Sequence, residues 1–231
     1  MSRSQAREKL AAVEAVIFDL DGTLLDRRGS FDRFIRDQWG RFSDFLRTID
    51  QDEYVRTLVD LDADGYAPRK DLFTGMVARF ELPSHLADTL LSDYRSGFPQ
   101  ACLLFPDAAQ TLATIRASGL RIGLVTNGSV RMQSRKLECL ALTSAFDAIL
   151  ISDAEGIAKP DRQIFHRALT RLGTSADRAV FAGDNPEVDV AGARAAGIRA
   201  IWRRDPTVPH AVEADEVIEE LAELVTLLGL A

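Results

Sequence analysis

The sequence predicts an α/β protein, a doubly wound parallel sheet with a small all-helical domain inserted after the first strand. Three observations carry that prediction. Short β-rich apolar runs at residues 15–19, 122–126, 148–152, 179–183 and 198–202 each end near a polar or turn residue. Helical periodicity fills the intervals between the last four runs. Strands alternating with helices make a parallel sheet whose ligands gather at the strands' carboxyl ends. The interval 27–104 breaks this rhythm, because it holds no clear strand run and reads as several amphipathic helices.

Taken in order, the first run is apolar until Asp19, and Asp21 follows one residue later with Gly22 and Thr23. Two unit charges 4 Å apart interact by about 1 kcal/mol in water and about 4 kcal/mol at an effective dielectric of 20, so a fold has to gain something by placing like charges together. A nearby cation is the first expectation. In the insert, "FDRFIRDQWGRFSDFLRTI" places Phe31, Phe34, Ile35, Trp39, Phe42, Phe45 and Leu46 largely on one stripe. Domain boundaries follow at 1–26 with 105–231 for the α/β core and 27–104 for the helical domain. "PDAAQTLATIRASG" reads as the helix before the second run. In "DRQIFHRALTRLG", Ile164, Phe165, Ala168, Leu169 and Leu172 share a face, and Gly119, Gly173 and Gly197 stand where a C′ glycine ends a helix.

Composition narrows the function. A chain of 231 residues, 46% hydrophobic, fills one large domain or two modest ones. Its net charge of −7 argues against a nucleic acid or an anionic membrane surface as the main partner. Cys102 and Cys139 match no metal-ligand spacing and are expected as reduced core residues, which fits the cytoplasm. Glu14 interrupts the only short apolar start, and no eighteen apolar residues run together, so neither export nor membrane insertion is expected.

Motifs fall at or just after four predicted strand ends: Asp19-Leu20-Asp21-Gly22-Thr23; "LVTNG" with Thr126 and Asn127; "AKPD" with Lys159; and "FAGDNPEVD" with Asp184 and Asp189. Present together and in this order over essentially the whole chain, they make the sequence resemble the haloacid dehalogenase-like (HAD) hydrolase superfamily. The stretches "TNGSVRMQSRKL", "AKPDRQIF" and "GDNPEVDVAGARAAG" resemble its phosphatase branch with a helical, C1-type cap after the first strand. The resemblance implies a Rossmann-like HAD core and a magnesium-dependent phosphatase acting on a small phosphorylated metabolite through an aspartyl-phosphate. It implies Asp19 as nucleophile, and Asp21 as the acid and base that also turns its backbone carbonyl to the metal. A phosphate dianion approaching Asp19 and Asp184 needs a divalent cation between them, and oxygen-only ligands select Mg2+. Thr126, Lys159 and the backbone N–H of Asn127 would then hold the phosphoryl oxygens. Asp189 would support the metal shell or orient Lys159.

Other patterns in the sequence carry less. Asp60, Asp62, Asp64 and Gly65 copy the first half of a calcium loop, but Pro68 interrupts it and its twelfth position is Asp71. "GARAAG" lacks the lysine and hydroxyl of a nucleotide-binding P-loop. His85, His166 and His210 share no ligand spacing and are expected as structural or surface residues, and Arg27 and Arg28 as a solvated pair. Among functions, a phosphomutase uses the same core. A phosphonatase needs a cap lysine, for which Lys70 alone is present. A dehalogenase lacks an aspartate at the position of Asp21, and a catalytically silent regulator would not need the intact set.

Overall fold

The computed structural model describes residues 12–65, 67–205 and 213–230. Its sheet contains β1 (Ala15–Phe18), β2 (Arg121–Thr126), β3 (Ala148–Ile151), β4 (Ala179–Gly183), β5 (Arg199–Arg203) and β6 (Glu216–Ile218). They lie in the order β3-β2-β1-β4-β5-β6, and every pairing is parallel. Strand β1 is central because "AVIF" is buried at every position, as a strand covered on both faces must be. Ala15 is in register with Arg121 on one side and Ala179 on the other. The topology therefore reverses direction on either side of β1, and its carboxyl end is the switch point where a doubly wound sheet opens a crevice.

Contacts divide the chain into two compact units, Met1–Asp26 with Leu104–Ala231, and Arg27–Leu103. The second unit is helical: α1 (Arg27–Arg41), α2 (Ser43–Leu46), α3 (Gln51–Asp62), α4 (Arg69–Arg79) and α5 (Leu86–Ala101). Its core is aromatic, with Phe34 meeting Tyr94 and Phe98 edge-on at 5.6 and 5.9 Å and Tyr94 stacked on Phe98 at 4.9 Å. A buried amide braces it, since Gln38 donates to the Leu90 carbonyl and to Asp93 and accepts from the Tyr54 hydroxyl at 2.9 Å.

In the α/β unit follow α6 (Ala108–Ala117), α7 (Val130–Cys139), α8 (Ser152–Glu155), α9 (Arg162–Leu172), α10 (Gly192–Ala195) and α11 (Leu221–Leu227). The five residues expected on one face of α9 are its buried residues, and the helix packs on β2 and β3. Asp161 caps its start by accepting from the Gln163 N–H, and Gly173 ends it in the left-handed conformation, φ 61°. Where the chain leaves β1 for the helical unit and where it returns, Leu25 and Leu104 pair as an antiparallel bridge and Phe105 donates to the Leu24 carbonyl at 3.0 Å.

Four expectations are corrected. A sixth strand, β6, closes the sheet; three residues with one buried side chain leave too little apolar pattern to see in sequence. The stripe predicted through Leu46 breaks at Phe42, so Phe45 is 45% exposed and Trp39 is half-buried with its indole N–H on the Ile49 carbonyl. Cys139 is exposed, because the inward positions at the end of α7 go to Lys136 and Leu137. Arg27 is not solvated: its side chain is 12% exposed and ion-paired to buried Asp62 at 2.7 Å. Arg69 also pairs with Asp62, and Arg28 with Asp64, so arginines engage two of the carboxylates of the calcium-loop look-alike. His85 and His166 are exposed, and His210 lies outside the described residues.

Phe165 is fully buried on α9 and meets Phe181 of β4 edge-on at 5.1 Å. Phe165→Ala should cost about 3–5 kcal/mol of α/β-unit stability by the lost transfer energy and the cavity left behind. Denaturant unfolding followed by circular dichroism measures it, and a loss under 1 kcal/mol would show that the helix–sheet contact carries little.

Candidate active site

At the carboxyl end of β1 the ladder runs one residue further, with the Asp19 N–H donating to the Ala182 carbonyl at 2.9 Å. That bond fixes the backbone from which the Asp19 side chain, in a residue only 6% exposed, projects. Lys159 follows α8 and precedes α9, and its ammonium donates to Asp19 Oδ1 at 2.6 Å and to Asp189 Oδ1 at 2.7 Å. Asp189 lies in the π-helical turn Pro186–Ala191 after β4, and its other oxygen accepts the Asn185 N–H at 3.0 Å. Both oxygens of Asp189 are thus taken by protein donors.

Asp184 stands beside them. Asp19, Asp184 and Asp189 each offer an oxygen within 4.8 Å of the others. The approach is close enough to dictate residue type. A Cβ on Gly22, whose φ is +84°, would lie 2.2 Å from Asp184 Oδ2, and one on Gly183 would lie 2.4 Å from the Asp189 Cβ. The Gly22 turn is held from β5, where Arg203 donates to the Gly22 carbonyl at 2.9 Å while its guanidinium lies 3.5 Å over the Phe105 ring. Trp202 donates from its indole to the Asp184 carbonyl at 2.8 Å.

Thr126, fully buried, ends β2. Asn127 exchanges two hydrogen bonds with the Lys159 backbone, both at 2.9 Å, so its side chain sets where the lysine starts. Asp21, the remaining predicted residue, turns away from the acidic group: its carboxylate takes the Lys136 ammonium at 2.7 and 2.8 Å and the Gln133 amide at 2.8 Å. The structure therefore brings the predicted side chains of Asp19, Lys159, Asp184 and Asp189 together around β1 and β4, and adds Gln133, Lys136 and Arg203, which the sequence reading missed. A signal for the first two existed: the inward positions of α7 are Gln133, Lys136 and Leu137, two polar residues where a core stripe is expected.

Electrostatics explain the crowding. Burial pushes the Asp19 carboxyl up to about 7, with Lys159 opposing and Asp189 and Asp21 adding to the rise. Burial, then Asp189 and Asp19, holds Asp184 well above the usual carboxylate range. Burial alone would lower the Lys159 ammonium, but Asp189 and Asp19 outweigh it and keep the lysine charged. One ammonium among three carboxylates leaves the cluster short of positive charge. Donors that are all oxygen suit a small hard cation, so the residues fit a divalent metal.

A family profile described as haloacid dehalogenase-like hydrolase matches residues 13–197, from before β1 to beyond the turn that carries Asp189. The chain belongs to this HAD-like hydrolase family. It is 30% identical over 194 residues to a glyceraldehyde 3-phosphate phosphatase of Methanothermobacter thermautotrophicus, covering 82% of this chain and 84% of that one. It is 44% identical over 99 residues to a phosphoserine phosphatase of Thermus thermophilus, a match spanning 40% of that relative's length and 43% of this chain. The crystal structure of a HAD phosphatase from Thermococcus onnurineus superposes with a TM-score of 0.64 at 27% identity, over 94% of this chain and 98% of the other. Among the described residues of this HAD-like hydrolase, no helix is long and apolar enough to cross a membrane.

The raised Asp19 pKa has a sign in stability. The folded, metal-free chain binds a proton at Asp19 up to about pH 7, whereas the unfolded chain releases it near 3.8. That contribution is complete below the lower value and is lost as pH rises through the upper one. In chelator, wild type should therefore lose stability relative to Asp19→Asn between pH 5 and pH 8, as read by denaturant midpoints. Parallel profiles for the two proteins would show that Asp19 is ionised throughout.

Proposed function

We propose that this chain is a magnesium-dependent phosphatase that hydrolyses a small phosphorylated metabolite through an aspartyl-phosphate on Asp19, with the helical unit 27–103 as its cap. The observation that carries the reading is the Lys159 ammonium shared between Asp19 and Asp189 at the end of the central strand, with Asp184 alongside. A carboxylate held this way is oriented, and Lys159 stays charged to meet phosphoryl oxygens. Phosphatase names among the relatives support the same chemistry. Free cysteines and the absence of a long apolar helix among the described residues agree with a cytoplasmic location.

Asp19 Oδ forms a bond to phosphorus while the phosphorus–oxygen bond to the alcohol breaks, and the leaving oxygen takes a proton from the Asp21 carboxyl. Water then attacks the phosphorus, giving its proton back to Asp21 as the bond to Asp19 breaks and inorganic phosphate leaves. Thr126 and Lys159 hold the phosphoryl oxygens through both displacements. Asp19, Asp184 and the Asp21 backbone carbonyl would hold the metal, while Asp189, whose oxygens are engaged, keeps Lys159 and the Asn185 turn in place. When bound, Mg2+ offsets the carboxylate charge that would otherwise repel a phosphate dianion. Asp21 separates this reading from that of a dehalogenase, which has no leaving alkoxide to protonate.

Exhaustive chelation should abolish hydrolysis of an activated aryl phosphate and added magnesium should restore it; full activity in the chelated protein would end the metal-dependent reading. Asp19→Asn keeps the shape and removes the attacking charge. Its turnover should fall by about 10³-fold or more, with no phosphoprotein trapped by acid quench, whereas a loss below tenfold would move the nucleophile elsewhere.

A further inference from the structure

Lys136 is spent in a way that neither packing nor phosphate binding explains. It lies on α7, its side chain is 6% exposed, and its ammonium reaches both Asp21 oxygens, at 2.7 and 2.8 Å. One turn earlier, the Gln133 amide nitrogen donates to Asp21 Oδ2 at 2.8 Å and to Thr126 Oγ1 at 2.6 Å. Its two amide hydrogens thus go one to the carboxylate and one to the threonine. Because the Thr126 oxygen accepts from Gln133, its own hydrogen is left to point at another acceptor.

The helix that carries both residues is fixed at its start. Ser129 caps it by accepting the Met132 N–H, Gly128 donates to the Ser152 hydroxyl at 3.0 Å, and Val130 donates to Asp153 at 3.0 Å. A Cβ on Gly128 would come within 3.1 Å of Gln133 Cγ and Cδ, so the amide is seated against bare backbone. Apolar residues at these inward positions would serve stability as well, since a buried ion pair is weak evidence for it. A polar pair aimed at one carboxylate instead fixes geometry, as the side chains around a reacting group must.

We propose that Lys136 and Gln133 are positioning residues for phosphoryl transfer: Lys136 clamps the Asp21 carboxylate, and Gln133 ties it to Thr126. The proton-transfer group and a phosphoryl ligand are then held in register by a single amide. The inference rests on the phosphatase reading above and adds to it how Asp21 is aimed.

A double-mutant cycle tests it. On activated and unactivated aryl phosphates with magnesium, Lys136→Met should lower kcat by about 10–100-fold, in the range of lost supporting contacts, with KM changed less than about threefold. Unactivated leaving groups should suffer more, and Lys136→Arg should recover most of the loss. In an Asp21→Asn background the same Lys136→Met change should cost less than about twofold, because its target is gone. Equal losses in both backgrounds, or equal slowing of all leaving groups, would overturn the proposal. Gln133→Leu runs the same cycle if Lys136→Met does not fold. A crystal structure of either variant gives a readout that does not depend on turnover: Asp21 should leave its present orientation while Asp19 and Lys159 stay, and an unmoved Asp21 would overturn the proposal. If wild type hydrolyses no phosphomonoester, the phosphatase reading fails, and the crystallographic comparison still decides whether Lys136 and Gln133 aim Asp21.

Discussion

The Lys159 ammonium between Asp19 and Asp189 is the contact on which the rest of the site depends. It joins the end of β1, the segment before α9 and the turn after β4, three pieces far apart in sequence. Taking three such groups out of water is costly, and removing one partner from a buried pair typically costs about 3–5 kcal/mol because an uncompensated charge remains. Much of the surrounding architecture reads as support for this contact. Asn127 holds the lysine backbone, the Asn185 N–H satisfies the far oxygen of Asp189, and glycines at 22 and 183 let the carboxylates close in. The sheet supplies the platform, because only at a switch point do loops from neighbouring strands converge on one place.

Two charge systems flank the central strand. On the β4 side, Lys159 lies among Asp19, Asp184 and Asp189, which leaves an excess of negative charge that raises the affinity for protons and for a cation. On the β2 side, Lys136 and Gln133 engage Asp21, and Gln133 also reaches Thr126. Two carboxylates one residue apart are thereby given separate surroundings, and distinct surroundings are how one site assigns different tasks to the same functional group. The repulsion implied by the sequence is lowered by turning the side chains toward different lysines.

The sequence showed the parallel sheet, the helical insertion and the strand-end positions of the motif residues, because short apolar runs and glycine stops report burial and chain reversal directly. It did not show β6, whose three residues carry one buried side chain and pair with β5 at the edge of the described sheet. Nor did it show that the aromatic stripe breaks at Phe42, since helical periodicity says nothing of where a neighbouring helix stops covering a face. Lys136 and Gln133 escape the sequence pattern for a similar reason. A lysine on an amphipathic helix ordinarily faces water, and only the position of Asp21 across the space from α7 shows that this one does not. The burial of Arg27 is hidden likewise, because Asp62, which it meets, lies at the far end of another helix.

Strand β1 is the middle of the sheet and also the earliest in sequence of the described strands. Its partners at Arg121 and Ala179 are translated only after the entire helical unit, so four fully buried residues, "AVIF", wait with both hydrogen-bonding edges open. Such a segment is a template for pairing with the wrong chain, and closure of a sheet over long loops is slow. In the folded chain the bridge between Leu25 and Leu104 sets the returning segment beside the exit from β1. The length of chain made before β1 can pair is therefore set largely by residues 27–103, a segment that contributes no strand to the sheet.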